Sequence, residues 1–292
     1  MYALKEFTYG AELELADVLY GQKLPYGCLW NTKERTIVNS NGVAQSPGGR
    51  YWPYGGEINT RPTKTLSEQV ALIGEIYNCL NPVPTINFTC ALHIHIGVPG
   101  LRDDLAALKR IANYVYLHVP MACKITNTIS CPDSEGGKKW YRGYRLRNLD
   151  NFNLEQLSNM NKAVTTEEFY IAHFQRFSKK TGQPLKYLQR RCAVNMRSLW
   201  ENNGTIEFRH FSASLKLMEI RCAFEWCKEF LHAAVNNTDI SPNEILELIE
   251  PPVQFPPSQP YEVGLDRIYN LTCYKHTPDV IRSNLAELRL IE

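Results

Sequence analysis

The segment Leu92-His93-Ile94-His95-Ile96 leaves a chain few ways to fold. Its apolar residues recur at every second position, which is the period of a β-strand and not of a helix. In a strand, side chains at i and i+2 share a face. Leu92, Ile94 and Ile96 therefore face a core, and His93 and His95 project together from the other side. Two adjacent imidazoles repel when charged, and burial favours the neutral form that can ligate a metal. A lone histidine is more often structural. A pair spaced like this, on an apolar strand, asks for a shared metal ion or a phosphate.

Three further segments repeat the arrangement. In Tyr9-Gly10-Ala11-Glu12-Leu13-Glu14-Leu15, Glu12 and Glu14 share one face and Ala11, Leu13 and Leu15 the other. In Gly55-Gly56-Glu57-Ile58-Asn59-Thr60-Arg61-Pro62, an extended backbone puts Glu57, Asn59 and Arg61 together, after two glycines that allow a tight turn or a close backbone approach. In Thr205-Ile206-Glu207-Phe208-Arg209-His210-Phe211, Glu207 and Arg209 share a face while Ile206 and Phe208 pack on the other. Taken singly, each of these three reads more simply as a solvated strand face or a surface ion pair. Taken together they give four carboxylates, two imidazoles and two guanidiniums on strand faces. If the strands pair, so many like charges on one face call for bound cations. Oxygen ligands with an imidazole suit Mg²⁺ or Mn²⁺ better than structural zinc. Arginines among such carboxylates point to phosphate, whose oxygens the planar fork meets bidentately.

The remaining sequence narrows the setting. The 292 residues carry 32 basic and 30 acidic side chains, a balance with no strong nucleic-acid signal. No run approaches the ~20 apolar residues of a membrane span, and the start, MYALKEFTYG, does not resemble a secretory signal. Nine cysteines without a CxxC pair read as thiols, so the expected location is cytoplasmic. On the same ground the Asn87-Phe88-Thr89 sequon carries no meaning. There is no GxxxxGK[ST], which excludes a P-loop kinase.

Helical spacing predicts helices over 66–80, 103–126 with a kink or break near Pro120, 165–177 capped by Thr165 or Thr166, and 215–235. Strands are expected at 85–98 and 205–211, with short strands and turns in the first 62 residues. Residues 127–150 read as a loop with a basic, aromatic run over 138–147. Its Arg142, Arg145 and Arg147 could close over phosphates, although solvated basic residues are the simpler reading. Pro251–Pro260 reads as an extended linker, followed by one or two helices. Strands and helices mix without βαβ alternation, so the class is α+β.

The order ExE, Gly-Gly-Glu, LHIHIG and TIEFR, over roughly residues 7–214, resembles the glutamine-synthetase-like ligases, and CxLHIHIG with TIEFRxF resembles their amidoligase branch. The resemblance implies one domain over 1–292, with 215–292 a mostly helical C-terminal portion. It also implies a curved antiparallel sheet packed by helices on its outer face. The implied activity is ATP-dependent joining of a carboxylate to an amine through an acyl phosphate, with two or three Mg²⁺ (or Mn²⁺) ions. Glu12, Glu14, Glu57, His93 and Glu207 match the metal ligands, and His95 the histidine that approaches the nucleotide phosphates. Arg209 would neutralise the transferring phosphoryl group, Glu57 would serve the amine side, and Arg61 would bind the substrate carboxylate. Asn195 resembles a family asparagine preceding the TIEFR strand, on the nucleotide side. Ala91 stands where a glycine is common, and a second carboxylate after the Glu57 strand is missing.

The substrates implied are small carboxylates and amines, with amino acids, polyamines, peptides and modified nucleobases all open. The main rival is a divalent-metal-dependent hydrolase or nuclease built on the same Glu/His cluster, though neither an HExxH nor an aspartate-rich motif is present. A catalytically silent binding module is disfavoured, because such a face would gain by losing its charges.

Overall fold

The computed structural model describes residues 2–18, 21–31, 37, 55–86, 90–126, 154–174, 192–200 and 204–236. Six strands form one sheet: β1 (Thr8–Ala16), β2 (Leu29–Asn31), β3 (Gly55–Asn59), β4 (Ala91–Gly97), β5 (Val194–Asn195) and β6 (Thr205–Ser212). Their spatial order is β2-β3-β1-β4-β6-β5, and every neighbouring pair is antiparallel. Five helices accompany them among the described residues: α1 (Leu66–Cys79), α2 (Leu105–Thr126), α3 (Leu154–Lys162), α4 (Thr166–Phe174) and α5 (Leu217–Asn236). The α+β class and the antiparallel sheet read from the sequence are thus observed.

The alternation in the strands decides which face the helices cover. Leu13, Leu15, Ile94, Ile96, Ile206 and Phe208 are buried in one core with the apolar sides of α1, α2 and α5. Each fully buried aliphatic or aromatic side chain there contributes about 1.5–3 kcal/mol. Phe208 meets the rings of Trp226 and Phe230 on α5 edge to face, at 6.0 and 5.7 Å between centroids. The helix on that face is held at its end as well. Arg110 of α2 donates to the Ala234 and Val235 carbonyls at the C-terminus of α5, satisfying acceptors that the helix leaves open.

Local chemistry fixes the helix starts. Thr65 and Glu68 form a reciprocal capping box at α1. The Asp104 carboxylate accepts from the Ala107 amide at the start of α2, and Thr165 Oγ1 accepts from the Glu168 amide at α4. Two expectations are corrected. Of the kink or break expected near Pro120, the break does not occur, since α2 continues through the proline to Thr126. The strand expected over 85–98 is confined to Ala91–Gly97, with Thr85 making only an isolated bridge to Ala16. The α3 helix is not anticipated by the sequence reading; Leu157 and Met160 bury one side of it. A reciprocal amide pair, Asn113 to Asn161 at 3.0 Å each way, ties it to α2.

Cys28, Cys79, Cys90, Cys192, Cys222 and Cys227 are free thiols, and no helix among the described residues is long and apolar enough to cross a membrane. The loop 127–150, the sequon at 87–89, residues 175–177 of the expected third helix and everything after 236 lie outside the described residues.

In the last turn of α4, His173 is buried and stacked on Phe174 at 4.3 Å between ring centroids. Burial pushes its pKa down to about 4. Unfolded, it takes up a proton near pH 6.5, so its contribution to stability is complete above that value and lost as pH falls towards about 4. The loss should reach roughly 3 kcal/mol. Chemical denaturation at pH 7 and pH 4.5 is expected to show a larger stability difference for the native chain than for His173→Phe; equal differences would contradict it.

Candidate active site

The face of the sheet turned away from the helices carries the charged residues, and the strand register sets them in three rows. In the first row Asn31, Glu57 and Glu14 stand opposite one another on β2, β3 and β1. In the second, Leu29, Asn59, Glu12 and His93 run across β2, β3, β1 and β4. In the third, Gly10, His95, Glu207 and Asn195 cross β1, β4, β6 and β5. Directly opposed residues in an antiparallel pair share a face and place their Cβ atoms within about 5.5 Å. Four segments distant in sequence are thereby brought to one patch.

Side-chain distances confirm the grouping. His93 Nδ1 lies 2.7 Å from Glu12 Oε2 and 3.6 Å from Glu207 Oε1, and His93 Nε2 lies 3.8 Å from Glu14 Oε1. His95 Nε2 is 3.2 Å from Glu12 Oε1 but misaligned for a hydrogen bond, and its Nδ1 is 3.2 Å from Thr205 Oγ1. Glu12, His95 and Glu207 each offer a ligand atom within 4.8 Å of the others. Glu207 is buried; Asn195 Nδ2 donates to its Oε2 at 2.7 Å, and Arg209 pairs with its Oε1. The Asn195 carbonyl in turn accepts from the Arg197 amide at 2.9 Å. Glu57 Oε1 accepts from Asn31 Nδ2 at 2.6 Å.

The electrostatics follow from this crowding. Burial alone would raise the Glu12 pKa, but the hydrogen bond with His93, the close approach of His95 and the charge of both imidazoles outweigh it and hold the carboxylate well below its usual range. Burial would lower the His95 pKa; the Glu12 carboxylate beside its Nε2 and the charge of Glu207 outweigh that, and Arg209 opposes them, leaving it raised. Arg209 keeps its charge against burial because Glu207, Glu12 and Glu14 surround it. The donor set of carboxylate oxygens with an imidazole, and a buried His95 Nε2 with no hydrogen-bond partner, fit a divalent cation of the Mg²⁺ or Mn²⁺ kind.

Of the residues singled out by sequence, the structure gathers Glu12, Glu14, His93, His95, Glu207, Arg209 and Asn195 into one network, and places Glu57 beside Glu14 by register. Arg61 stands apart. Strand β3 ends at Asn59, and the Arg61 guanidinium donates to the Tyr26 carbonyl at 2.9 Å. The shared face expected for Glu57, Asn59 and Arg61 therefore stops at Asn59. Asn31 and Thr205 were missed as site residues. Asn31 sits on a three-residue strand with no alternating run to reveal it, whereas Thr205 lies on the recognised TIEFR strand, directly opposite Gly97.

A family described as "Putative amidoligase enzyme" matches residues 83–231, about half of the chain. The chain belongs to this family. The matched stretch holds His93, His95, Asn195, Glu207 and Arg209; Glu12, Glu14 and Glu57 precede it and join the amidoligase site through β1 and β3. Among solved structures, a bifunctional glutathione synthetase from Pasteurella multocida is similar over 98% of this chain and 47% of its own, at 11% identity and a TM-score of 0.41. The chain spans about half the length of that protein, and the likeness is too loose to bear on activity. No curated protein matches the sequence.

A divalent ion and a proton compete for His95, whose folded pKa lies above the ordinary value near 6.5. Manganese affinity of the EDTA-stripped chain should therefore rise as pH is raised from 6 to 8. Calorimetry in two buffers of different ionisation enthalpy should show protons released on binding. A flat affinity with no proton release would rule out His95 as a ligand.

Proposed function

We propose that the chain is an ATP-dependent ligase that joins a small-molecule carboxylate to an amine through an acyl phosphate, releasing ADP and phosphate. The observation that carries this reading is Arg209. It lies beside Glu207 in a family of amidoligases, and its Nε–H is buried without an acceptor. A guanidinium held at one end by a carboxylate and left open at the other suits a phosphoryl oxygen. A hydrolase acting on esters or amides has no comparable use for it.

The cations assigned to Glu12, Glu14, Glu57, His93 and Glu207, two or three Mg²⁺ or Mn²⁺ ions, would neutralise charge on the phosphoryl group and among these carboxylates. The protein's own groups account for the rest. A substrate carboxylate oxygen attacks the γ-phosphorus, the bond to the ADP oxygen breaks, and Arg209 stabilises the charge spreading over the phosphoryl oxygens. His95, oriented by Thr205, would complete the ligand set at Glu12 and Glu207, on the side that meets the nucleotide phosphates. Asn195 uses its amide to hold Glu207 and thereby keeps Arg209 in place, so it serves the nucleotide side by positioning. The amine nitrogen then attacks the acyl carbon and phosphate departs. The attacking nitrogen must be neutral, and Glu57 is the carboxylate suited to bind its cation and take the proton. Arg61 Nη1 donates to the Tyr26 carbonyl, and its remaining N–H groups would be the ones to meet the substrate carboxylate.

The same reading makes residues 1–292 one catalytic domain, with 215–292 its C-terminal portion, working in the cytoplasm on small-molecule substrates without a nucleic-acid or membrane partner. ATP turnover with Mg²⁺, measured with and without pooled carboxylates and amines, tests it. ADP formation should require both substrates and fall at least about 100-fold in Glu207→Ala and in Arg209→Ala. Hydrolysis of an ester or amide supported by Mn²⁺ alone, with ATP neither bound nor cleaved, would replace the ligase with a metal-dependent hydrolase.

A further inference from the structure

The β2 edge of the site offers a different chemistry from its centre. Asn59 Oδ1 is buried and has no hydrogen-bond partner. Asn59 stands opposite Glu12 on one side and Leu29 on the other, and shares its strand face with Glu57 two residues earlier. Both Glu12 oxygens are turned to His93 and His95, so the acceptors of this edge are the Asn59 carbonyl and the Glu57 carboxylate, a pair that favours an N–H-rich, cationic group. A buried carbonyl without a donor is costly, so a ligand that supplies the donor gains by it.

The flank of that position is apolar and open. Leu29 is 69% exposed although it lies in the row of Asn59, Glu12 and His93. The turn leading to it is fixed: Cys28 N donates to the Pro25 carbonyl at 3.1 Å, and Arg61 grips the Tyr26 carbonyl. Tyr26 itself is 93% exposed beside it. Ammonia has no surface to set against Leu29. A polyamine would bring a second cation to the leucine side, where this row offers it no carboxylate.

We infer that Asn59 positions the attacking amine, and that this amine is the α-amino group of an amino acid or peptide bearing an aliphatic side chain, which lies against Leu29. The inference rests on the ligase reading for the meaning of "attacking", but not for the binding itself. The Asn59 carbonyl accepts from the amine, Glu57 faces the same nitrogen, and Leu29 covers the side chain.

Leucinamide, glycinamide and ammonium chloride, titrated into the full chain in Mg²⁺ by calorimetry or saturation-transfer NMR, test this directly. Leucinamide should bind tightest and ammonium weakest. Asn59→Ala should weaken both amides by about tenfold, the loss of one hydrogen bond to a charged group. Leu29→Ser, at an exposed position that cannot unfold the chain, should bring leucinamide down to the level of glycinamide. Equal binding of the three probes, or amide affinities unchanged by Asn59→Ala in a chain of native circular dichroism, would overturn the inference. MgATP titration of the same proteins keeps the two readings apart. MgATP affinity should be unchanged in both variants. If the native chain fails to bind MgATP while the amine ranking holds, the ligase reading falls and the amine site stands; MgATP binding without any amine ranking does the reverse.

Discussion

The pairing of β1 with β4 is the constraint on which the site depends. It sets Glu12 opposite His93 and Gly10 opposite His95, so both imidazoles come within reach of one carboxylate. Two like charges 4 Å apart repel by about 4 kcal/mol at the effective dielectric of a protein surface. Glu12, Glu14 and Glu207 all lie within 4 Å of His93, and none could be buried there without compensation. Among the described residues the compensation comes from the two histidines and from Arg209. A one-residue slip would turn every glutamate into the core and every leucine to the site, which neither face could bear. The hydrophobic layer under α1, α2 and α5 therefore holds the register that the charged face would, on its own, push apart.

A single irregularity tunes this arrangement. Between the pairs Leu92–Phe211 and Ile94–Phe208, one residue of β4, His93, stands against two of β6, Arg209 and His210. Strict alternation would put Phe211 on the same face as Glu207 and Arg209. The bulge returns it to the core, where its ring meets Trp226 at 6.0 Å, while His210 keeps the helix side that alternation already gives it, 5.3 Å from the same ring. Arg209 stays with Glu207 on the site face. Bulges of this kind re-aim side chains beside active sites at the expense of a ladder bond. Here the consequence is that no Phe211 ring follows Arg209 on the site face.

How much of this could be read beforehand depends on how periodic each segment is. Where alternation or helical spacing runs through most of a segment, as in Thr205–Ser212, Leu66–Cys79 and Leu217–Asn236, the expected bounds agree with the structure within two residues. The chemistry-bearing residues were legible for the same reason, since period two announces a shared face. What period two cannot announce is where a strand stops. Arg61 follows the alternation of Glu57 and Asn59 in sequence, yet the ladder has ended and a nearby turn takes its guanidinium. Pro120 misleads in the opposite sense, because a proline's missing donor costs a helix one bond and not its continuity. Asn31 and α3 have too little apolar periodicity to be seen at all without their partners.

The division of labour along the chain is itself informative. The family match begins at residue 83, yet one of the two central strands of the sheet is β1, and β3 supplies Glu57. A fragment confined to 83–231 would keep both histidines, Glu207 and Arg209, but His93 would lose Glu12 and Glu14, and β4 would lose its β1 partner and present an open edge. Arg209 and the imidazoles thus come from the matched half, while the carboxylates nearest the β2 edge come from the segment before it. If the first half of the site handles a nucleotide and the second an amine, the substrate-determining part lies in β1, β2 and β3, outside the stretch by which the family is recognised. Variation in what such chains join would then be sought around Leu29, Asn59 and Glu57, and the constant chemistry around Glu207 and Arg209.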